Sequence, residues 1–397
     1  MWRTPGVPAL LLMSMAGFSG YAALLSVAPL WVVKGGGGSS GAGAVNGVLM
    51  LFTVLTQPFV PRALRRVGWG AVMVAGLLLM GLPSMLHLLT DDLVPTLGLS
   101  AVRGLGFGIL TVTGSAAVAE LVDAPRRGAA IGAYGLAVAV PQLALLPLSP
   151  WVATEVGFGV VFVAGALPLL GCAPALALGR QLRAGPAPGD REKSTPQPDR
   201  RPGWPLANTL RVLLRPMTLL LVVTLAGGAL MTFLPQVTDV AWVTTTGLFL
   251  LTATAALSRW RVGGLADRHG PQPFLWPLTL LAAASMLVVA FAVHLDAGPA
   301  GLLLVAAMAV LGVSYGGLQN LTLLVSFQSV DRRDYGVASA AWNIGFDAGT
   351  GLGAVLVGAI AAGSSFPVAF LVTAALLLLS LPLAVWHPRV GPPTGSG

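Results

Sequence analysis

The residues able to do chemistry in this 397-residue chain are few, and they stand in its most apolar stretches. The richest run is Trp342-Asn343-Ile344-Gly345-Phe346-Asp347-Ala348-Gly349-Thr350-Gly351-Leu352-Gly353. Gly345, Gly349 and Gly353 recur at the spacing of one helical turn, so they share a face that suits close helix packing. Asn343 and Asp347, at the same spacing, share the opposite face. One face can pack while the other lines a cavity. Burial out of water disfavours the charged form of a carboxylate, which equips a group in the position of Asp347 to take up and release a proton. The other readings of Asp347 are permanent pairing with an Arg or amide across a bundle, and direct contact with a substrate. Arg103, within Arg103-Gly104-Leu105-Gly106-Phe107-Gly108, stays charged at any relevant pH. It cannot itself carry a proton, but it can bind an anion or bias a partner carboxylate; the bland alternative is that it snorkels to the surface.

Weaker candidates surround these two. Tyr315 and Gln319 share a helical face with Asn320 beside them, and Tyr134 and Gln142 stand in another apolar run. Tyr21, Asn46, Gln57 and Gln236 are similar polar residues standing alone. Such groups serve either as hydrogen-bond glue between helices or as ligand contacts, and together they suggest an amphipathic cavity rather than a dense sugar-binding lining. Enzyme chemistry finds no support. Cys172 is the single cysteine, the 4 histidines fall at the ends of apolar runs or between them, and Gly35-Gly36-Gly37-Gly38 lacks the Lys-Ser/Thr of a phosphate loop. Neither a metal site nor a cofactor is expected, and energy cannot come from ATP hydrolysis by this chain.

The elements that must position these residues are membrane helices. With 55% hydrophobic and 9% charged residues and a mean hydropathy of +0.84, the chain is too apolar for a soluble domain. Apolar runs long enough to span a bilayer fall at about 8–33, 42–61, 70–89, 94–122, 128–149 and 156–179, then at 216–236, 240–258, 274–294, 298–328, 336–362 and 366–386. Between the two sets lies the polar stretch 180–215, rich in Pro, Gly and charge, which reads as a linker. The expected organisation is thus a six-helix bundle over 1–179, a cytoplasmic linker, a second bundle over 216–390 and a disordered tail over 391–397. Basic residues alternate with the runs: Arg3, Arg62, Arg65, Arg66, Arg126, Arg127, Arg259, Arg261, Arg268, Arg332, Arg333 and Arg389 fall on one side, and Lys34 falls on the other. Short cytoplasmic loops collect Lys and Arg, so both termini are expected in the cytoplasm. The net charge of +8 is therefore read as membrane anchoring, with no nucleic-acid partner.

Gly263-Gly264-Leu265-Ala266-Asp267-Arg268-His269-Gly270 resembles the loop signature of the major facilitator superfamily, G-x-L-a-D-r-x-G-r. Physically, Gly264 admits a close helix approach or a turn, Asp267 can cap or accept from an Arg, and Arg268 anchors the inner face. In the first half, Pro61-Arg62-Ala63-Leu64-Arg65-Arg66-Val67-Gly68 keeps the basic residues and the last glycine, with Pro61 and Arg65 replacing the signature's glycine and acid. Arg103 with its downstream glycines resembles the superfamily's fourth-helix R-x-x-x-G motif of proton-coupled members. The antiporter motif of the fifth helix is represented by Gly132, Gly135 and a displaced Pro141.

The resemblance implies an all-α fold of twelve transmembrane helices in two six-helix bundles of inverted repeats, acting as a monomer in the cell membrane. The expected function is proton-coupled efflux of a small amphipathic molecule, the bacterial drug-exporter branch of the superfamily, by alternating access. Asp347, Asn343, Arg103, Tyr315, Gln319, Tyr134 and Gln142 are the expected coupling and cavity residues, and Gly264, Asp267 and Arg268 the gating motif. Proton-coupled import of a small organic solute and a transport-inactive membrane scaffold are the alternatives.

Overall fold

Apolar side chains on every side of a helix leave it no choice but a hydrocarbon or protein environment, and a span of about 20 residues covers about 30 Å of hydrocarbon. The computed structural model describes residues 6–121, 127–184, 206–295, 300–330 and 335–386. It is helical throughout these, with 12 helices long and apolar enough to cross a membrane. In the first half they are α1 (Val7–Lys34), α2 (Gly38–Val67), α3 (Trp69–Leu89), α4 (Leu93–Leu121), α5 (Arg127–Glu155) and α6 (Phe158–Arg183). The second half holds α7 (Leu206–Val237), α8 (Ala241–His269), α9 (Gln272–His294), α10 (Ala300–Gln328), α11 (Tyr335–Gly363) and α12 (Phe366–Val385).

The two sets of six pack alike. α1 lies on α5, α2 on α4 and α3 on both α4 and α6; likewise α7 lies on α11, α8 on α10 and α9 on both α10 and α12. The same small-residue device closes the equivalent pairs. A side chain added at Gly104 or Gly108 of α4 would strike the carbonyls of Leu49 or Thr53 in α2, and one at Gly312 or Gly316 of α10 those of Leu251 or Ala255 in α8. Thr53 Oγ1 then reaches the Gly104 carbonyl at 3.2 Å, as Thr254 Oγ1 reaches that of Ala309 at 2.8 Å. The sets meet each other along α2 with α11 and α5 with α8.

Two helix ends run into basic segments expected to lie between spans. The expected second and eighth spans stop at 61 and 258, yet α2 runs on to Val67 and α8 to His269. The basic residues there do not break the helices, because cations at a helix C-terminus complement its dipole and the arginines there are exposed. What stops both is a glycine with positive φ, Gly68 at 95° and Gly270 at 77°, a conformation that side chains with a Cβ resist. The signature's final glycine and its first-half equivalent thus do the same work. Helix also reaches Ala184 and starts again at Leu206, so both ends of the expected linker are helical. Its middle, 185–205, and the tail at 391–397 lie outside the described residues, as do Arg3, Arg126, Arg332, Arg333 and Arg389.

Candidate functional site

The glycine face of α11 packs on α7. A Cβ at Gly349 would meet Thr224 and the Leu221 backbone, one at Gly353 the Leu225 carbonyl, and one at Gly345 Leu220 and Met217 at an ordinary 3.7 Å. The opposite face, expected to line a cavity, meets α2 of the other half. Gln57 Nε2 donates to Asp347 Oδ2 at 2.6 Å, and Gly351 sits over Met50. Asp347 is 4% exposed and Gln57 6%, and among the described residues Asp347 is the one buried carboxylate. Asn343 does not join this contact; its Nδ2 donates to the Ser339 carbonyl of its own helix at 2.9 Å.

Arg103 is buried rather than snorkelling, at 1% exposure. Its Nη2 donates to the Gly20 carbonyl of α1 at 3.1 Å, while its Nε has no partner. The acceptor is held by α6, whose 3-10 stretch Leu167–Gly171 presses Pro168 against Gly20. Among the described residues no carboxylate pairs with Arg103. Beside it, Tyr21 stacks on Phe107 with ring centroids 4.2 Å apart and planes 8° apart. Tyr21 stands within the electrostatic reach of Arg103, Asp347 and Tyr315, so α1, α4, α10 and α11 converge on one polar centre.

From the second half, Tyr315 and Gln319 stand one turn apart on α10, and Tyr315 is 6% exposed. Gln319 is 1% exposed; its Oε1 accepts from Arg259 Nη2, and its Nε2 has no partner. Phe346 borders this group, with centroids 6.3 Å from Tyr315 and 5.7 Å from Trp342. Tyr134 and Gln142 stand apart from it. The Tyr134 ring packs over Gly114 of α4, and Gln142 bonds the Val138 carbonyl of its own helix at 3.3 Å.

A family model described as the Major Facilitator Superfamily matches residues 10–349. The chain belongs to this superfamily. It is a transporter rather than an enzyme, built as a multi-pass membrane protein. A bacterial homologue of the human lysosomal transporter Spinster, solved inward-facing and unoccupied, superposes with a TM-score of 0.72 at 15% identity over 97% of this chain and 96% of that one. A peptide transporter in complex with sulfate gives 0.73 at 17% identity over 96% and 94%, and a nucleoside transporter 0.66 at 12% over 96% and 98%. At these identities the likeness is one of fold. No curated protein matches the chain in sequence.

Within this superfamily member the signature segment forms the last turns of α8 and not a loop. Arg268 there is exposed, and the side chain of Asp267 lies outside the described residues. Nothing approaches within 4 Å of a Cβ built on Gly264; the close neighbour belongs to Gly263, where the Asn320 amide would stand 2.7 Å away. Two residues outside the expected set enter the site: Gln57 supplies the partner of Asp347, and Arg259 reaches α10 from inside a helix expected to have ended. Apart from this site, His87 is wholly buried at the end of α3. His87 stacks on Phe162 at 5.2 Å, with Nδ1 3.0 Å from the Pro83 carbonyl and Nε2 unpartnered. An amide in an apolar run was the visible signal for Gln57; for Arg259 only the true end of α8 reveals the placement.

Proposed function

We propose that this transporter couples the movement of a small amphipathic molecule to protons, exporting the molecule across the cell membrane as a monomer by alternating access. The observation that carries the reading is the Gln57–Asp347 bond, which ties the two six-helix sets through a carboxylate held out of water. An amide donating to a carboxylate makes a charge-assisted bond, roughly twice as strong as its neutral counterpart. Protonation of Asp347 therefore weakens the contact between α2 and α11, and loss of the proton restores it. Coupling follows when the proton is taken up in one arrangement of the halves and released in the other.

The surroundings suit an amphipathic load. Aromatic rings of Phe18, Tyr21 and Phe107 in one half and Tyr315, Trp342 and Phe346 in the other border the polar centre. Asp347 acts as the proton carrier, and Arg103 sets the local field without titrating.

The test is proton flux in energised inside-out vesicles, with the wild-type chain and Asp347→Asn, on adding hydrophobic cations, antibiotics and organic acids. Substrate-evoked proton release that vanishes in the variant is the expected result. An unchanged response in the variant would remove Asp347 from coupling, and substrate-evoked flux of the opposite sign would make the protein an importer.

A further inference from the structure

Arg259 was expected to lie past the end of the eighth span, among the basic residues of the inner surface. It stands instead inside α8, four residues before Gly263, and is held there from both ends. Asn320 Nδ2 donates to the Arg259 carbonyl at 2.6 Å, and the guanidinium Nη2 donates to Gln319 Oε1. The residue is nevertheless exposed, while its bond to Gln319 is half-buried, so the guanidinium bridges the surface and the interior of the bundle.

The chemistry of this group is unbalanced. Its functional atoms are donors: the guanidinium, the unpartnered and buried Gln319 Nε2, and the Tyr315 hydroxyl one turn away on the same face of α10. Among the described residues no carboxylate pairs with Arg259, and the one buried carboxylate, Asp347, is bonded to Gln57. A buried donor left unpaired costs about 1–3 kcal/mol, and a cation facing such donors calls for an oxyanion, which the planar guanidinium can grip with two bonds. Arg103 also lacks a carboxylate, but it is 1% exposed and already bonded to the Gly20 carbonyl, whereas Arg259 is exposed. Next to the donors lies an apolar wall, since Phe346 neighbours Tyr315 and stacks on Trp342.

We propose that the transported molecule is an amphipathic organic anion whose carboxylate docks on Arg259 and Gln319 while its apolar body lies on Phe346 and Trp342. This rests on the transport reading above but not on Asp347 as proton carrier. Anionic lipid phosphate shares the recognition chemistry, and the test separates the two sources.

The experiment follows thermal unfolding of the purified full-length chain in non-ionic detergent, titrated with benzoate or octanoate, with the neutral isosteres benzamide or octanamide, and with tetraphenylphosphonium. Phosphatidylglycerol micelles form a separate arm. The carboxylates are expected to raise Tm saturably while the amides and the cation do not. Arg259→Gln should abolish the rise, and Arg259→Lys should weaken half-saturation about tenfold, because an ammonium cannot grip both oxygens. Asp347→Asn should keep the carboxylate response even as it loses proton flux, so failure of the coupling reading would leave the anion site standing. Equal shifts from amides and carboxylates in the wild-type chain would overturn the proposal whether or not the Arg259 variants fold, as would an Arg259-dependent response to phosphatidylglycerol alone.

Discussion

Gln57 of α2 donates to Asp347 of α11 at 2.6 Å, and the bond crosses between the two six-helix sets where neither residue is more than 6% exposed. Toward the end of the bundle that carries Lys34 and Gly363, the same two helices stay in contact through small residues. There a Cβ on Gly43 would strike the Ala354 carbonyl, and one on Gly358 would reach that of Ser39 at 2.6 Å. The carboxylate therefore sits at one limit of a tight, nearly side-chain-free seam. A change in its charge acts where a small loss of attraction can let the helices separate.

A double-mutant cycle tests whether this bond contributes on its own. Gln57→Leu removes the donor and leaves a buried carboxylate without one, which costs about 1–3 kcal/mol. Asp347→Leu removes the acceptor and strands the amide at a similar cost. Replacing both removes the need for either group, so the double variant should lose less than the sum of the singles by about 1–2 kcal/mol. Unfolding in mixed micelles measures all four; strictly additive losses would show that the two side chains do not interact.

A second polar contact between the halves lies nearer that end. Asn46 Nδ2 donates to the Leu25 carbonyl and to Thr232 Oγ1, both at 2.8 Å, and Ser26 Oγ donates to the Met231 carbonyl. Asn46→Leu deletes both of its bonds without changing helix propensity much. The end should then part more often, and spin labels at the exposed Ser40 and Ser364 should show a longer mean distance and a broader distribution than in the wild-type background. An unchanged distribution would mean that glycine packing alone holds this end.

Much of this was legible in the sequence. Twelve apolar runs and their alternating charges locate every span, because the need to satisfy backbone polar groups in hydrocarbon leaves only one structure for such a run. The turn-spaced glycines of α11 announce a face for close helix packing. Tertiary partners were not legible. Gln57 and Asp347 are 290 positions apart, and no periodicity links them, so their contact could not be read from the chain. Arg259 and Arg268 were misplaced because positive charge reads as a loop, whereas a helix end tolerates it and stops only at Gly270.

Gly353 and Gly264 should respond oppositely to a side chain. A Cβ at Gly353 would enter the Leu225 backbone of α7, which cannot yield without moving the helix, whereas at Gly264 nothing lies within 4 Å. Gly353→Val should therefore cost about 1–3 kcal/mol through overpacking. Gly264→Ala should be neutral or gain up to about 1 kcal/mol from helix propensity. Thermal unfolding decides between them, and a severe loss at Gly264 would point to a neighbour that arrives only in another arrangement of the halves.

Arg103 separates stability from function most cleanly. It is a buried cation with a single backbone acceptor, the Gly20 carbonyl, and with an unpartnered Nε. Holding such a charge out of water is expensive, and removing a buried charge in favour of an apolar group of similar length is often neutral or stabilising, by about 1–4 kcal/mol where ion pairs have been replaced. Arg103→Met should thus unfold at the same temperature as the wild-type chain or higher. Transport should nonetheless fall, because the buried charge that joins α1 to α4 beside the Tyr21–Phe107 stack disappears. Measuring Tm and substrate-evoked proton flux on one preparation distinguishes the cases: flux lost with Tm kept assigns Arg103 to the mechanism, whereas flux and Tm lost together make it a structural brace between α1 and α4.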